Sequence, residues 1–201
     1  MARVEASLDQ RVISAVGGHP AVRSITLAGS RAEGRATEYS DWDFVVATDD
    51  FPALAGDLPA LSAPLGPLAM QWDRLSPHQC WMLMLRGPTK IDLLFPAEPH
   101  ELEPPWEPTR ENLPGIDDHF WDWALWLRSK EAAGKREQTE AELEKLFRHL
   151  LEPLGATRTP GSVAEAVDLY RDARAAVEHR LDYEVPRELE AAVADAVARP
   201  R

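Results

Sequence analysis

Two aspartates, Asp41 and Asp43, stand one residue apart just before the apolar residues 44–47. Side chains of a strand alternate between its two faces, so we expect both carboxylates to point one way and Trp42 and Phe44 the other way. Neighbouring carboxylates repel each other, and the pair is stable at low cost only if a cation lies between them or both are well solvated. A loop-capping role would explain Asp41, but it explains Asp43 poorly because an apolar run follows.

A third carboxylate, Asp92, lies within the otherwise apolar residues 91–95. A buried, ionised carboxylate is costly unless it is paired, and Lys90 is the nearest basic residue that could pair with it. The alternative is that Asp92 joins Asp41 and Asp43 from a neighbouring strand. Three carboxylates together form an oxygen-only site of the kind that holds Mg²⁺ with substrate phosphates.

The third feature is a Gly-Ser turn. The β-branched residues 22–28 predict a strand that ends at Gly29, and the sequence Gly-Ser-Arg-Ala-Glu-Gly follows over residues 29–34. Glycine permits a tight turn and close approach to a ligand. The Ser30 hydroxyl and the N–H groups that follow could hold phosphate oxygens, and a helix beginning at Arg31 would favour an anion. Arg31 could neutralise phosphate charge, although a simple turn with a solvated arginine is the more common meaning.

These residues together resemble the DNA polymerase beta-like nucleotidyltransferase superfamily, and in particular its small bacterial branch of minimal and aminoglycoside nucleotidyltransferases. The resemblance rests on Gly29-Ser30, Ser40-Asp41-x-Asp43 and the distal Asp92, and it covers roughly residues 20–95. It implies a small mixed sheet flanked by helices. It also implies nucleotide binding by Gly29, Ser30, Arg31 and Ser40, Mg²⁺ binding by Asp41 and Asp43, and a role for Asp92 as third metal ligand or general base.

Periodicity and turn residues predict the elements that position this site. In the N-terminal half we expect a helix over residues 2–16, strands over 22–28, 42–47 and 68–72, a helix over 50–61, and a hairpin of residues 80–86 and 90–95 around Gly87-Pro88-Thr89. In the C-terminal half we expect helices over residues 117–133, 139–151, 162–181 and 186–198, the third opened by a Ser162/Glu165 capping box.

The sequence therefore predicts an α+β protein with a small mixed-sheet nucleotidyltransferase domain followed by a helical bundle. The predicted boundaries are residues 1–98 for the first domain, 99–115 for a proline-rich acidic connector and 116–201 for the helical domain. Five prolines over residues 97–114 mark the connector.

Composition limits the classes of partner that the protein is expected to bind. The 201-residue chain has a net charge of -12, which disfavours a large nucleic acid as partner because such binding depends on Lys and Arg. A single cysteine, Cys80, excludes an intramolecular disulfide and a cysteine-based zinc site. The charged first 15 residues do not resemble a signal peptide, and no apolar run reaches the roughly 18 residues of a membrane span. We expect a soluble cytoplasmic protein without membrane contact.

Half of the net charge lies in residues 101–125, which carry one base, Arg110, and seven acids: Glu101, Glu103, Glu107, Glu111, Asp117, Asp118 and Asp122. A solvated acidic connector is the simplest interpretation. The functional alternative is an electrostatic trap for a cationic acceptor, in which Asp118 and Asp122 are the first candidates for contact.

The leading hypothesis is an enzyme that transfers AMP from ATP, with Mg²⁺, to a hydroxyl of a small cationic acceptor such as an aminoglycoside antibiotic. A second hypothesis is an antitoxin-type minimal nucleotidyltransferase that adenylylates a partner protein. A third is a non-catalytic interaction module on the same fold, against which the intact set of Ser30, Asp41, Asp43 and Asp92 argues. The sequence predicts neither the acceptor's identity nor the oligomeric state.

Overall fold

The computed structural model describes residues 6–87 and 89–198. The first four residues of the predicted helix over 2–16 lie outside this range, as does Pro88 of the predicted hairpin turn. The chain divides into two compact units, Met1–Leu102 and Glu103–Arg201. The first unit extends beyond the predicted boundary at residue 98, because the last strand of its sheet runs to Pro99.

A five-stranded mixed sheet forms the first unit. Its strands, in chain order, are β1 (Val22–Leu27), β2 (Trp42–Thr48), β3 (Pro67–Trp72), β4 (His78–Leu85) and β5 (Thr89–Pro99). Their order across the sheet is β1-β2-β5-β4-β3. The pairs β1/β2, β3/β4 and β4/β5 are antiparallel, whereas β2/β5 is parallel. The sheet thus consists of an antiparallel pair and an antiparallel meander that are joined along a single parallel pairing.

Two helices supply the core on one side of this unit, α1 (Leu8–Val16) and α3 (Phe51–Ser62). Val12 and Val16, four residues apart on α1, are fully buried, and Phe44 of β2 belongs to the same cluster of buried apolar side chains. The helix α3 begins at Phe51 because the Asp50 side chain accepts the N–H of Ala53 at 3.1 Å, a standard N-terminal cap.

Alternation along β2 places its acidic side chains on the face of the sheet opposite the apolar core. Phe44 and Val46 enter the apolar core, so Asp43 lies on the opposite face of the strand, together with Asp41 just before it. This is the arrangement that the sequence predicts.

The second unit is helical, with α4 (Leu113–Ala132), α5 (Arg136–Leu146), α6 (Glu152–Leu154), α7 (Val163–Leu181) and α8 (Glu188–Ala198). A π-helical segment, Phe147–Leu151, links α5 to α6. Buried residues lie all around α4, which makes it the central helix of the unit. Half of the predicted capping box of α7 is present, because the Ser162 hydroxyl accepts the N–H of Glu165 at 3.2 Å. The Glu165 carboxylate accepts the N–H of Gly161 at 2.6 Å, one residue before the position that the box requires.

The helix α4 begins at Leu113 rather than at the predicted residue 117. The sequence analysis places Pro114 in the connector, but it occupies the first turn of the helix, where proline has no N–H bond to lose. Asp117 is therefore one full turn inside the helix. There it is buried and accepts hydrogen bonds from the Tyr170 hydroxyl and from Arg174, each at 2.6 Å.

The predicted α+β fold class is confirmed by this mixed sheet and the helical second unit. Within the described part of the chain, no helix combines the length and hydrophobicity that crossing a bilayer requires.

Candidate active site

The parallel pairing of β2 with β5 brings the predicted acids together. In its register Trp42 is paired with Ile91, and Asp43 with Asp92. Asp41, Asp43 and Asp92 each present one carboxylate oxygen within 4.8 Å of the others, and we call these three residues the acidic triad. Asp41 and Asp92 are 8% exposed and Asp43 is half-buried. Three ionised carboxylates this close, and this shielded from water, repel one another strongly unless positive charge lies nearby.

Gly29 forms the wall of the site next to Asp43. Its φ of +63° lies in the left-handed region, and a Cβ at this position would stand 2.2 Å from Asp43 Oδ2. The strand pairing fixes this approach, because the N–H of Ala28 donates to the Asp43 carbonyl at 2.7 Å. The turn after β1 is therefore built directly against a carboxylate of the triad, and only glycine satisfies both its conformation and its space.

Arg31 holds the segment that carries Asp41. Its Nε donates to the carbonyls of Ser40 and Asp41 at 3.1 and 3.0 Å, and Nη2 donates to Ser40 at 2.6 Å. Its guanidinium carbon lies 4.1 Å from the centre of the Trp42 ring, a cation–π contact that the sequence analysis missed. Burial lowers the pKa of Arg31, and the charges of Asp41 and Asp43 oppose that effect. The structure thus shows a clamp on the backbone; the predicted phosphate contact stays a prediction.

The two serines of the motif lie in different local environments. Ser30 is half-buried in α2 (Gly29–Ala32), a single helical turn that follows β1. The Ser40 hydroxyl accepts the N–H of Thr37 at 2.9 Å and therefore closes the loop before β2. Nucleotide contacts by either hydroxyl remain predictions.

Lys90 is the buried basic partner of the triad. Its ammonium nitrogen forms an ion pair with Asp92 Oδ1, and its side chain is only 4% exposed. Both residues stand on the same face of β5, two positions apart. The pairing that the sequence left open is therefore present, and Asp92 is at the same time a member of the triad.

The acids proposed to contact an acceptor lie in the second unit, on α4. Asp122 is 5% exposed, and Asp117 is almost fully enclosed. Asp118 is half-buried, and burial raises its pKa to about 7, with the charge of Asp117 as a second cause. These acids do not form a solvated surface. An acceptor contact by Asp118 or Asp122 stays a prediction.

The donor chemistry of the triad suits a hard divalent cation. Carboxylate oxygens are the ligands that Mg²⁺ and similar ions prefer, and the three residues each offer one within a shared 4.8 Å. Because Gly29 has no Cβ, the Asp43 carboxylate has room to lie beside Asp41 and Asp92. The residues present therefore fit a divalent metal ion.

Comparison with known proteins identifies a matching family model and a similar solved structure. Residues 10–67 match the family model described as a nucleotidyltransferase domain, a segment that includes Gly29, Asp41 and Asp43 but ends before Asp92. This match confirms the predicted resemblance to nucleotidyltransferases and the prediction of a nucleotidyltransferase enzyme. A solved structure of an aminoglycoside 6-adenyltransferase from Bacillus subtilis is similar at 12% identity over 94% of this chain and 95% of that chain, with a TM-score of 0.33. No curated protein sequence matches the chain.

Proposed function

Because residues 10–67 carry a nucleotidyltransferase domain, we propose that the protein transfers AMP from ATP to a hydroxyl group of a small, cationic acceptor, with Mg²⁺ as its metal ion. The observation that carries the proposal is the acidic triad, whose oxygens lie within 4.8 Å on two paired strands. Asp41, Asp43 and Asp92 would hold the metal. When bound, it would supply positive charge against the α-phosphate and the departing pyrophosphate.

Every bond and proton of the proposed reaction can be accounted for with the two substrates and the side chains of this protein. The acceptor's hydroxyl oxygen bonds to the α-phosphorus, the bond from that phosphorus to the bridging α–β oxygen breaks, and pyrophosphate leaves. The hydroxyl proton passes to a carboxylate, for which Asp92 is the candidate because it lies beside the other two acids. Gly29 and Ser30 would face the triphosphate. Arg31 would act on the backbone by holding the carbonyls of Ser40 and Asp41.

The class of acceptor is proposed from charge. The chain carries a net charge of -12, which attracts cations and repels nucleic acids. An aminoglycoside has several ammonium groups and many hydroxyl groups, so it combines attraction to such a protein with a site for transfer. Asp118 and Asp122 remain the proposed acceptor contacts.

The experiment is an incubation of the protein with each of the four ribonucleoside triphosphates, Mg²⁺ and a panel of acceptors, analysed by mass spectrometry for nucleoside monophosphate adducts. The panel holds aminoglycosides, uncharged polyols and a mixture of proteins. An AMP adduct on an aminoglycoside, formed only with Mg²⁺, supports the proposal. An adduct on protein alone would point to the antitoxin-type alternative, and no adduct on any acceptor would refute transfer.

The chain offers a matched pair of control variants. Asp43→Asn removes one charge of the triad, whereas Asp49→Asn makes the same change directly after the other end of β2, where Asp49 is exposed and pairs with Arg23. We expect Asp43→Asn to abolish transfer and Asp49→Asn to leave it unchanged. Equal activity of the two variants would show that the triad is not the reacting centre.

A further inference from the structure

Lys90 is a buried basic residue to which the proposed transfer reaction assigns no step. Its side chain is 4% exposed, and a buried ammonium group is stable only when an anion compensates it. Its neighbours on the β4 side are apolar, because β4 pairs Met84 with Lys90 and Met82 with Asp92, and both methionines are buried. An uncharged side chain would fill this position without that cost.

Nearby carboxylates explain why a charged residue is stable at position 90. On β5 it forms an ion pair with Asp92, and the register of β2 against β5 places Asp41 one step before the Trp42/Ile91 pair, at the level of Lys90. Three carboxylates and one ammonium group give a net charge of -2, which equals the charge that one divalent cation neutralises.

Resting on the proposed function, we propose that Lys90 is the resident counter-cation of the acidic triad. It holds Asp92 in position when no metal ion is bound, and it sets the affinity of the triad for a free divalent cation. Lys90 is in this sense a positioning residue, since it acts on Asp92 and on the charge of the site rather than on the substrate.

The inference has two measurable consequences. Without Lys90, the triad lacks its internal cation, so the metal-free protein is less stable. A bound divalent cation is then no longer repelled by an ammonium group. At a separation of about 6 Å between the ammonium group and the ion, loss of one unit charge strengthens divalent binding by about tenfold even at the dielectric constant of water.

The test uses the full chain and the variant Lys90→Met, whose side chain matches the neighbouring methionines in size. Binding of Mg²⁺ alone, without nucleotide, is measured by calorimetry, and thermal unfolding is recorded in EDTA and in Mg²⁺. We expect Lys90→Met to unfold at a lower temperature in EDTA, to bind Mg²⁺ about tenfold more tightly, and to gain more stability from Mg²⁺ than the unchanged protein does. Lys135→Met, at an exposed lysine, is the control and should change neither quantity.

Each other outcome overturns the inference in a distinct way. If the unchanged protein binds Mg²⁺ and transfers AMP but Lys90→Met binds Mg²⁺ no more tightly, only the inference fails. If neither protein binds Mg²⁺ and neither transfers AMP, the proposed function fails with it. If Lys90→Met does not fold even in Mg²⁺, Lys90 is a structural core residue and the counter-cation role is wrong.

Discussion

The substitution Gly29→Ala separates the stability of the fold from the geometry of the site. Two effects act on the new methyl group. The first is backbone strain, because φ at residue 29 is +63°, and a left-handed conformation costs an alanine roughly 1–2 kcal/mol. The second is contact, because the Cβ would lie 2.2 Å from Asp43 Oδ2, so that oxygen must retreat by about 0.8 Å to restore a 3.0 Å separation.

Backbone strain changes the stability of the protein, whereas the contact with Asp43 changes the rate of transfer. Oδ2 is the end of a rotatable side chain, so its retreat costs little stability but displaces a carboxylate of the triad. A displacement approaching 1 Å at a reacting centre can lower a rate by about a hundredfold. We therefore expect Gly29→Ala to lower the melting temperature by about 2–8 °C, to lower AMP transfer by about a hundredfold, and to weaken Mg²⁺ binding.

Gly66→Ala is the matched control. Gly66 has a similar φ of +72°, but its Cβ would meet no atom within 4 Å. It should lose the same stability and keep full transfer activity and Mg²⁺ affinity. The reasoning is refuted if Gly29→Ala transfers AMP as fast as Gly66→Ala does.

Three further predictions concern the clamp and the helical unit. Arg31→Ala should slow AMP transfer and shift the fluorescence of Trp42, whose ring lies 4.1 Å from the guanidinium that is lost. A shift that persists in a Trp42→Phe background would contradict the contact between Arg31 and Trp42. Tyr170→Phe removes a 2.6 Å bond to the buried Asp117 carboxylate and should cost about 1.5–3 kcal/mol in urea unfolding, so unchanged stability would speak against that bond. Burial raises the pKa of Asp118 from its ordinary value of 3.8 to about 7. Between these pH values the folded state retains a proton that the unfolded state has lost, so stability falls as pH rises. Asp118→Asn should therefore stabilise the protein most above pH 7 and not at all below pH 3.8, which thermal unfolding at several pH values can check; a pH-independent gain would count against it.

The sequence was sufficient for the parts of the fold and site that depend on local pattern. Alternation of apolar residues predicts β2 and places Asp41 and Asp43 on one face, and the cost of a buried carboxylate singles out Asp92. The contact between Asp43 and Asp92 follows once β2 and β5 are neighbours. The resemblance to nucleotidyltransferases implies that these two strands are neighbours. Periodicity alone does not predict which strands pair.

The features that the sequence did not predict depend on packing between distant residues. Arg31 was expected at phosphate, but its guanidinium reaches the carbonyls of Ser40 and Asp41 because the loop after α2 folds back. Asp117 was counted among surface acids, yet its partner Tyr170 lies 53 residues further along the chain. No local pattern records such a partner.

The single parallel pairing between β2 and β5 also has a consequence for how the protein folds. Its two strands are distant in the chain, whereas the antiparallel meander of β3, β4 and β5 closes through short turns, so we expect the β2/β5 pairing to form more slowly than the meander. The acidic triad straddles this pairing, with two members on one side and one on the other. An ion bound there would link the two pieces of the sheet, and amide hydrogen exchange along β2 and β5 would slow when it binds. The triad exists only once β2 and β5 have paired, so a chain whose sheet lacks this pairing has no triad to fill.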